Sequence, residues 1–118
     1  MTRKLTGHAV NPANEALQIE VLDEPGPGGA HHSYEIKGST AYAYLHFQNG
    51  AIAEAGVNGI THEALLAVLV DRLECFQKGP YACRENAIAL THPQDAQHWL
   101  QHRTRARMAR GVEGTMTV

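Results

Sequence analysis

The residues of this 118-residue chain best placed to do chemistry are the arginines near its end. Arg103 and Arg107 stand four apart and Arg110 follows one turn later, so on a helix they share one stripe. Arg105 is rotated about 200° from Arg103, at roughly 100° per residue. A guanidinium offers a planar fork of donors that matches a phosphate bidentately, so such a stripe suits a diphosphate or a nucleic-acid backbone. The stripe has no interleaved aromatics and the formal net charge is −2. A compact anionic ligand therefore fits better than a polynucleotide. Arginines complementing a helix C-terminus are the plainer alternative.

Other constellations carry less. His98 and His102 have the i, i+4 spacing of two helical zinc ligands, but no carboxylate joins them in the H-E-x-x-H manner. His31, His32 and His46 specify no third ligand, and no metal is expected. Cys75 and Cys83 flank Gly79-Pro80 and read as packed thiols rather than a disulfide framework. Gly26-Pro27-Gly28-Gly29 lacks the helix start that a phosphate-binding loop requires and reads as a hairpin turn. With no G-x-S-x-G or Walker A motif either, neither an enzyme nor a cofactor is expected.

Composition sets the frame for these residues. Hydrophobic content of 43% and charged content of 19% are ordinary for a soluble domain. The length fits a single domain over residues 1–118. No apolar run approaches the roughly 20 residues that span a bilayer, and the basic N-terminus lacks a signal-peptide apolar region. The expected location is cytoplasmic, with no membrane partner. Charge is uneven along the chain. Residues 1–80 carry five Lys/Arg against nine Asp/Glu, whereas residues 81–118 carry five Arg against three Asp/Glu.

Alternation and turn chemistry give the elements. Residues 1–12 show no periodicity and read as a loose arm. Leu17, Ile19 and Val21 alternate with Gln18 and Glu20 as a half-buried strand, ended by Asp23-Glu24-Pro25-Gly26. Tyr34 and Ile36 mark a second strand. A third runs from Tyr42 to Phe47, completing a three-stranded antiparallel meander over 17–47. The loop at 48–60 holds two Asn-Gly pairs, and its turns would leave backbone N–H groups suited to an anion or to a plain connection. Thr61 caps a helix from His62 to Lys78 with Leu65, Leu69, Leu73 and Phe76 recurring along it, and Gly79-Pro80 ends it. A second helix starts near Ala82 and runs to Arg110, so 62–110 reads as a helical hairpin. Pro93 should kink or split that helix, with Thr91 as the new cap. The fold class is α+β: a small N-terminal antiparallel three-stranded sheet packed against a C-terminal pair of long antiparallel helices, in an oligomer-prone chain.

Six strings occur in order: Phe47-Gln48-Asn49-Gly50; Gly56-Val57-Asn58-Gly59-Ile60-Thr61; Asp71-Arg72-Leu73; Cys83-Arg84-Glu85-Asn86-Ala87; Arg103-Thr104; and Arg110-Gly111-Val112-Glu113-Gly114-Thr115. Together they resemble the first family of Thoeris anti-defence proteins, the nucleotide sponges of phages, over roughly residues 45–115. The resemblance implies a phage protein that sequesters a cyclic ADP-ribose isomer, a signal made by Thoeris TIR-domain enzymes, without degrading it. It implies a small sheet with two long helices, assembled as a homodimer or homohexamer, and some members also hold cyclic di- or trinucleotides at separate sites. Carried onto this sequence, the ligand residues are Phe76, Asn86 and Arg103: a stacking ring, an amide and a phosphate-binding guanidinium. Arg107 stands where it can assist. Pro93 departs from the family's uninterrupted helix.

Helix geometry constrains that set. Asn86 and Arg103 are 17 residues apart, roughly 25 Å along a straight helix at 1.5 Å per residue. Phe76 and Asn86 bracket the hairpin turn and can share a pocket. Arg103 must then come from an antiparallel partner, which puts the expected site between protomers. The alternatives are an Arg-mediated nucleic-acid-binding module and a structural oligomer whose hairpin merely packs.

Overall fold

The computed structural model describes residues 3–117, which divide into two compact units at Ile60/Thr61. The first unit holds a four-stranded antiparallel sheet in the order β1-β2-β3-β4. Its strands are β1 (Arg3–Leu5), β2 (Gln18–Val21), β3 (Ser33–Lys37) and β4 (Tyr42–His46), with short helices α1 (Pro12–Glu15) and α2 (Ile52–Ala55). Strand register puts the apolar residues together. Ile19 faces Ile36, Val21 faces Tyr34, Ile36 faces Ala43 and Tyr34 faces Leu45. Directly opposed residues share a face, so these side chains form one apolar surface around Val21, which is only 1% exposed.

Two expectations for this unit are corrected. The sheet has four strands, because Arg3–Leu5 pairs with β2 in the register Arg3↔Val21 and Leu5↔Ile19. Three residues cannot display an alternation, and their partner supplies the ladder. The end of the expected loose arm at 1–12 is structured as well, since Asn11 caps α1, which begins at Pro12; residues 1 and 2 of that arm lie outside the described residues. In the exposed 48–60 loop the polar groups bond to one another. Asn58 Oδ1 accepts from Asn49 N at 2.8 Å while Asn58 Nδ2 donates to the Asn49 carbonyl at 2.7 Å. Gln48 accepts from Asn58 N and donates to the carbonyls of Gly50 and Gly56. Phe47 and Ile60 close the loop as a parallel bridge. A Cβ on Gly59 would lie 2.5 Å from the Phe47 backbone, so only glycine fits there.

The second unit is a helical hairpin of α3 (His62–Lys78) and α4 (Arg84–Arg110). Thr61 caps α3 by accepting from Ala64 N at 3.1 Å. The first residue of α4 is Arg84 rather than Ala82, because Cys83 takes extended backbone angles and its sulfur accepts from Asn86 N. Pro93 lies inside α4, which continues through it for 27 residues, so the expected split is not found. Thr91 is no cap: its hydroxyl donates to the Ala87 carbonyl one turn back. Proline removes one helical hydrogen bond, and tertiary packing outweighs a local propensity of that size. Of the expected apolar stripe on α3, Leu65 and Leu73 are half-buried, whereas Leu69 and Phe76 remain 46% and 36% exposed and the buried position is Val70.

Candidate functional site

The most polar cluster of the sheet lies opposite its apolar face. Ser33 and His46 are directly opposed in β3 and β4, and their side chains are 3.0 Å apart at Oγ and Nδ1. Tyr44 donates to Ser33 Oγ at 3.3 Å. A serine beside a histidine could suggest nucleophilic chemistry, but this serine is 9% exposed and the contact is what cross-strand register produces. Below it, Asp23 accepts from the backbone N–H groups of His32 and Ser33 at 3.0 to 3.1 Å. Partial burial works against its charge, yet those two donors and the nearby His31 and His32 rings prevail, so the Asp23 carboxyl is held below its usual range. His32 Nδ1 is buried without a hydrogen bond; Asp23 Oδ2 lies 3.7 Å away, beyond hydrogen-bond reach. These contacts tie the start of β3 to the preceding turn.

The hairpin holds a different kind of site. Leu69, Arg72, Leu73 and Phe76 fall at i, i+3, i+4 and i+7 of α3 and form one face of that helix. Together with Asn86 of α4 they line a hollow of about 430 Å³. A second hollow, of about 510 Å³, shares Arg72 and Phe76 and adds Val68, Asp71, Cys75 and Tyr81. Volumes of this order suit a small organic ligand. The turn that sets Phe76 against Asn86 is held by Gln77, whose amide donates to the Cys83 carbonyl and accepts from Cys83 N, both at 3.2 Å. One side chain thereby fixes both backbone groups of the residue that caps α4. Chemically, the hollow offers a ring, an amide with two donors and an acceptor, and a cation.

The four sequence-derived candidates therefore separate. Phe76 and Asn86 line the same hollow. Arg103 is exposed on α4 and lines neither hollow. Arg107 is 7% exposed and bonded inside its own chain. Its guanidinium donates to the carbonyls of Val112 at 3.0 Å and Thr115 at 3.2 Å, while Nε lies 3.3 Å from Glu113 Oε2. Gly111, at φ 73°, turns the chain there, with Val112 N bonded to Arg107 O and Gly111 N to Met108 O in a Schellman cap. The Arg-Gly-Val-Glu-Gly-Thr string is thus a tail wrapped around Arg107. Arg72, which lines both hollows, is the residue to which reasoning from the sequence gave no role. Its signal was the four-residue spacing to Phe76 inside an ordinary amphipathic helix.

Among the described residues, no group of three or more His, Cys, Asp or Glu is placed to hold a metal ion. Among the same residues, no helix is long and apolar enough to cross a membrane. Residues 45–105, from the end of β4 through most of α4, match the family model for the Acb2/Tad1 hairpin domain. Over 107 residues the chain is 42% identical to Thoeris anti-defense 1 of Bacillus phage SBSphiJ7, an alignment covering 90% of this chain and 75% of that protein. The order of strings, the hairpin and both likenesses agree: the chain belongs to the Acb2/Tad1 family of anti-Thoeris proteins.

Proposed function

We propose that the chain acts in the cytoplasm of an infected bacterium by binding a cyclic ADP-ribose isomer and holding it unchanged, so that Thoeris signalling stops. The observation that carries this reading is the hollow in which Phe76 and Asn86 stand together with a cation. Adenine stacks on Phe76, an interaction contributing on the order of 1–3 kcal/mol. Asn86 reads a base or ribose edge with its amide. Arg103 meets the diphosphate from a second copy, since about 25 Å of helix separates it from Asn86 within one chain. Exposed apolar residues on the hairpin support a homo-oligomer: Val68 is 63% exposed, Trp99 65% and Met108 63%. Arg107 contributes by fixing the tail beyond Arg103. Cyclic di- and trinucleotides are further candidate ligands.

Calorimetry of the purified protein with the cyclic ADP-ribose isomer, alongside cyclic di- and trinucleotides, tests the reading. Binding tighter than about 10 μM (more than about 6.8 kcal/mol) is expected for at least one of them. Arg103→Ala should abolish it while sedimentation shows the same oligomer. Ligand recovered unchanged after denaturation separates sequestration from hydrolysis. Binding to none of these, or retention only of DNA or RNA with steep salt dependence, would overturn the proposal.

A further inference from the structure

The hollow contains a cation that the roles above leave unassigned. Arg72 Cζ sits 5.1 Å from the centroid of the Phe76 ring, one helical turn away on α3. We propose that Arg72 gates the Phe76 ring, yielding its face to an incoming purine and taking up that nucleotide's phosphate. The inference rests on the nucleotide reading of this site and adds a residue and an order of events to it.

The geometry carries the first half. A base sandwiched between ring and guanidinium needs two stacking distances of roughly 3.5 Å each, about 7 Å in all. The observed separation of 5.1 Å leaves no room for one. A purine using that face must displace the guanidinium. The displacement is easy, because a cation over an exposed ring is weakly held. Phe76 is 36% exposed and no ion pair anchors Arg72 among the described residues.

Location carries the second half. Arg72 and Phe76 line both hollows, so the guanidinium can leave the ring without leaving the site. A planar fork next to a stacked base is placed for bidentate contact with the phosphate that the base brings with it. The chain then supplies one phosphate contact itself, before any partner delivers Arg103.

The test compares adenosine with the cyclic ADP-ribose isomer, an adenine nucleoside without and with a diphosphate. Calorimetry on the full chain uses the natural protein, Arg72→Ala and Arg72→Gln, each checked by thermal melting. Arg72→Ala should weaken binding of the isomer at least tenfold and flatten its salt dependence, while adenosine binding stays level or tightens. Arg72→Gln, which keeps most of the stem without the charge, should behave like alanine. Equal weakening of both ligands would reduce Arg72 to packing and overturn the gate, as would no change in either. Should the natural protein not bind the isomer, the nucleotide reading falls and the gate with it; a natural protein that binds it beside an unaffected Arg72→Ala rejects the gate alone.

Discussion

Replacing Arg107 by alanine should release the tail without unfolding the hairpin. The guanidinium donates to the carbonyls of Val112 and Thr115 and pairs with Glu113, with its own side chain 9% exposed against 37% for the glutamate. Hydrogen bonds to a charged group contribute about 1.5–3 kcal/mol each. Both carbonyls lie near the surface and can be rehydrated, so the net loss should be about 2–4 kcal/mol. Ordering residues 112–115 costs about 1–2 kcal/mol per residue. The contacts that survive, the Schellman bonds, the bonds of the Thr115 amide and hydroxyl to Val112 O and that of Thr117 N to the Thr115 hydroxyl, cannot offset that. Hydrogen exchange is the assay. The tail amides that are hydrogen-bonded, those of Val112, Thr115 and Thr117, should lose most of their protection in Arg107→Ala, while those of α3 keep theirs. A lysine at 107 should recover only part of it, because an ammonium is a point charge without the fork. Tail amides as protected in Arg107→Ala as in the natural protein would refute this account.

Gly59→Ala should destabilise the first unit by about 2 kcal/mol or more, since its Cβ would meet His46 O and the Phe47 backbone at 2.5 to 2.6 Å; an unchanged urea midpoint would contradict this. For Asp23 the sign follows from a folded pKa below its unfolded value of about 3.9. Its ionised form stabilises the fold fully above about pH 4, and that contribution is lost as pH falls through the lower folded value. Asp23→Asn should therefore melt below the natural protein at pH 6, and the gap should narrow below pH 4; a gap constant with pH would count against it.

Where local chemistry decides structure, the sequence was legible. Thr61, Glu63 and Gly79 bounded α3 at the residues observed, and the Leu17–Val21 alternation placed β2 to within one residue. The losses share a cause, partners far along the chain. Arg3–Leu5 is a strand only because β2 accepts it. Pro93 reads as a break until the packing of α3 on α4 is weighed. Arg107 looks like part of an open stripe because the groups that bury it lie beyond Gly111. Of the candidate site, Phe76 and Asn86 came from the family resemblance, and hairpin geometry added only that the two could share a pocket, as the hollow they both line now shows. Arg72 was not legible, since an arginine four residues before a phenylalanine occurs on many solvated helices.

The amide lattice of the 48–60 loop has a consequence for how the protein ages. Asn49-Gly50 and Asn58-Gly59 are both dipeptides of the kind most prone to spontaneous deamidation, which requires the asparagine side chain to swing onto the next backbone nitrogen. Asn58 is held at both ends by Asn49, through its oxygen and its nitrogen, and cannot make that swing without opening the loop. The contacts that shape the loop therefore also act as a chemical preservative for Asn58, and the clock starts whenever the Phe47–Ile60 bridge opens.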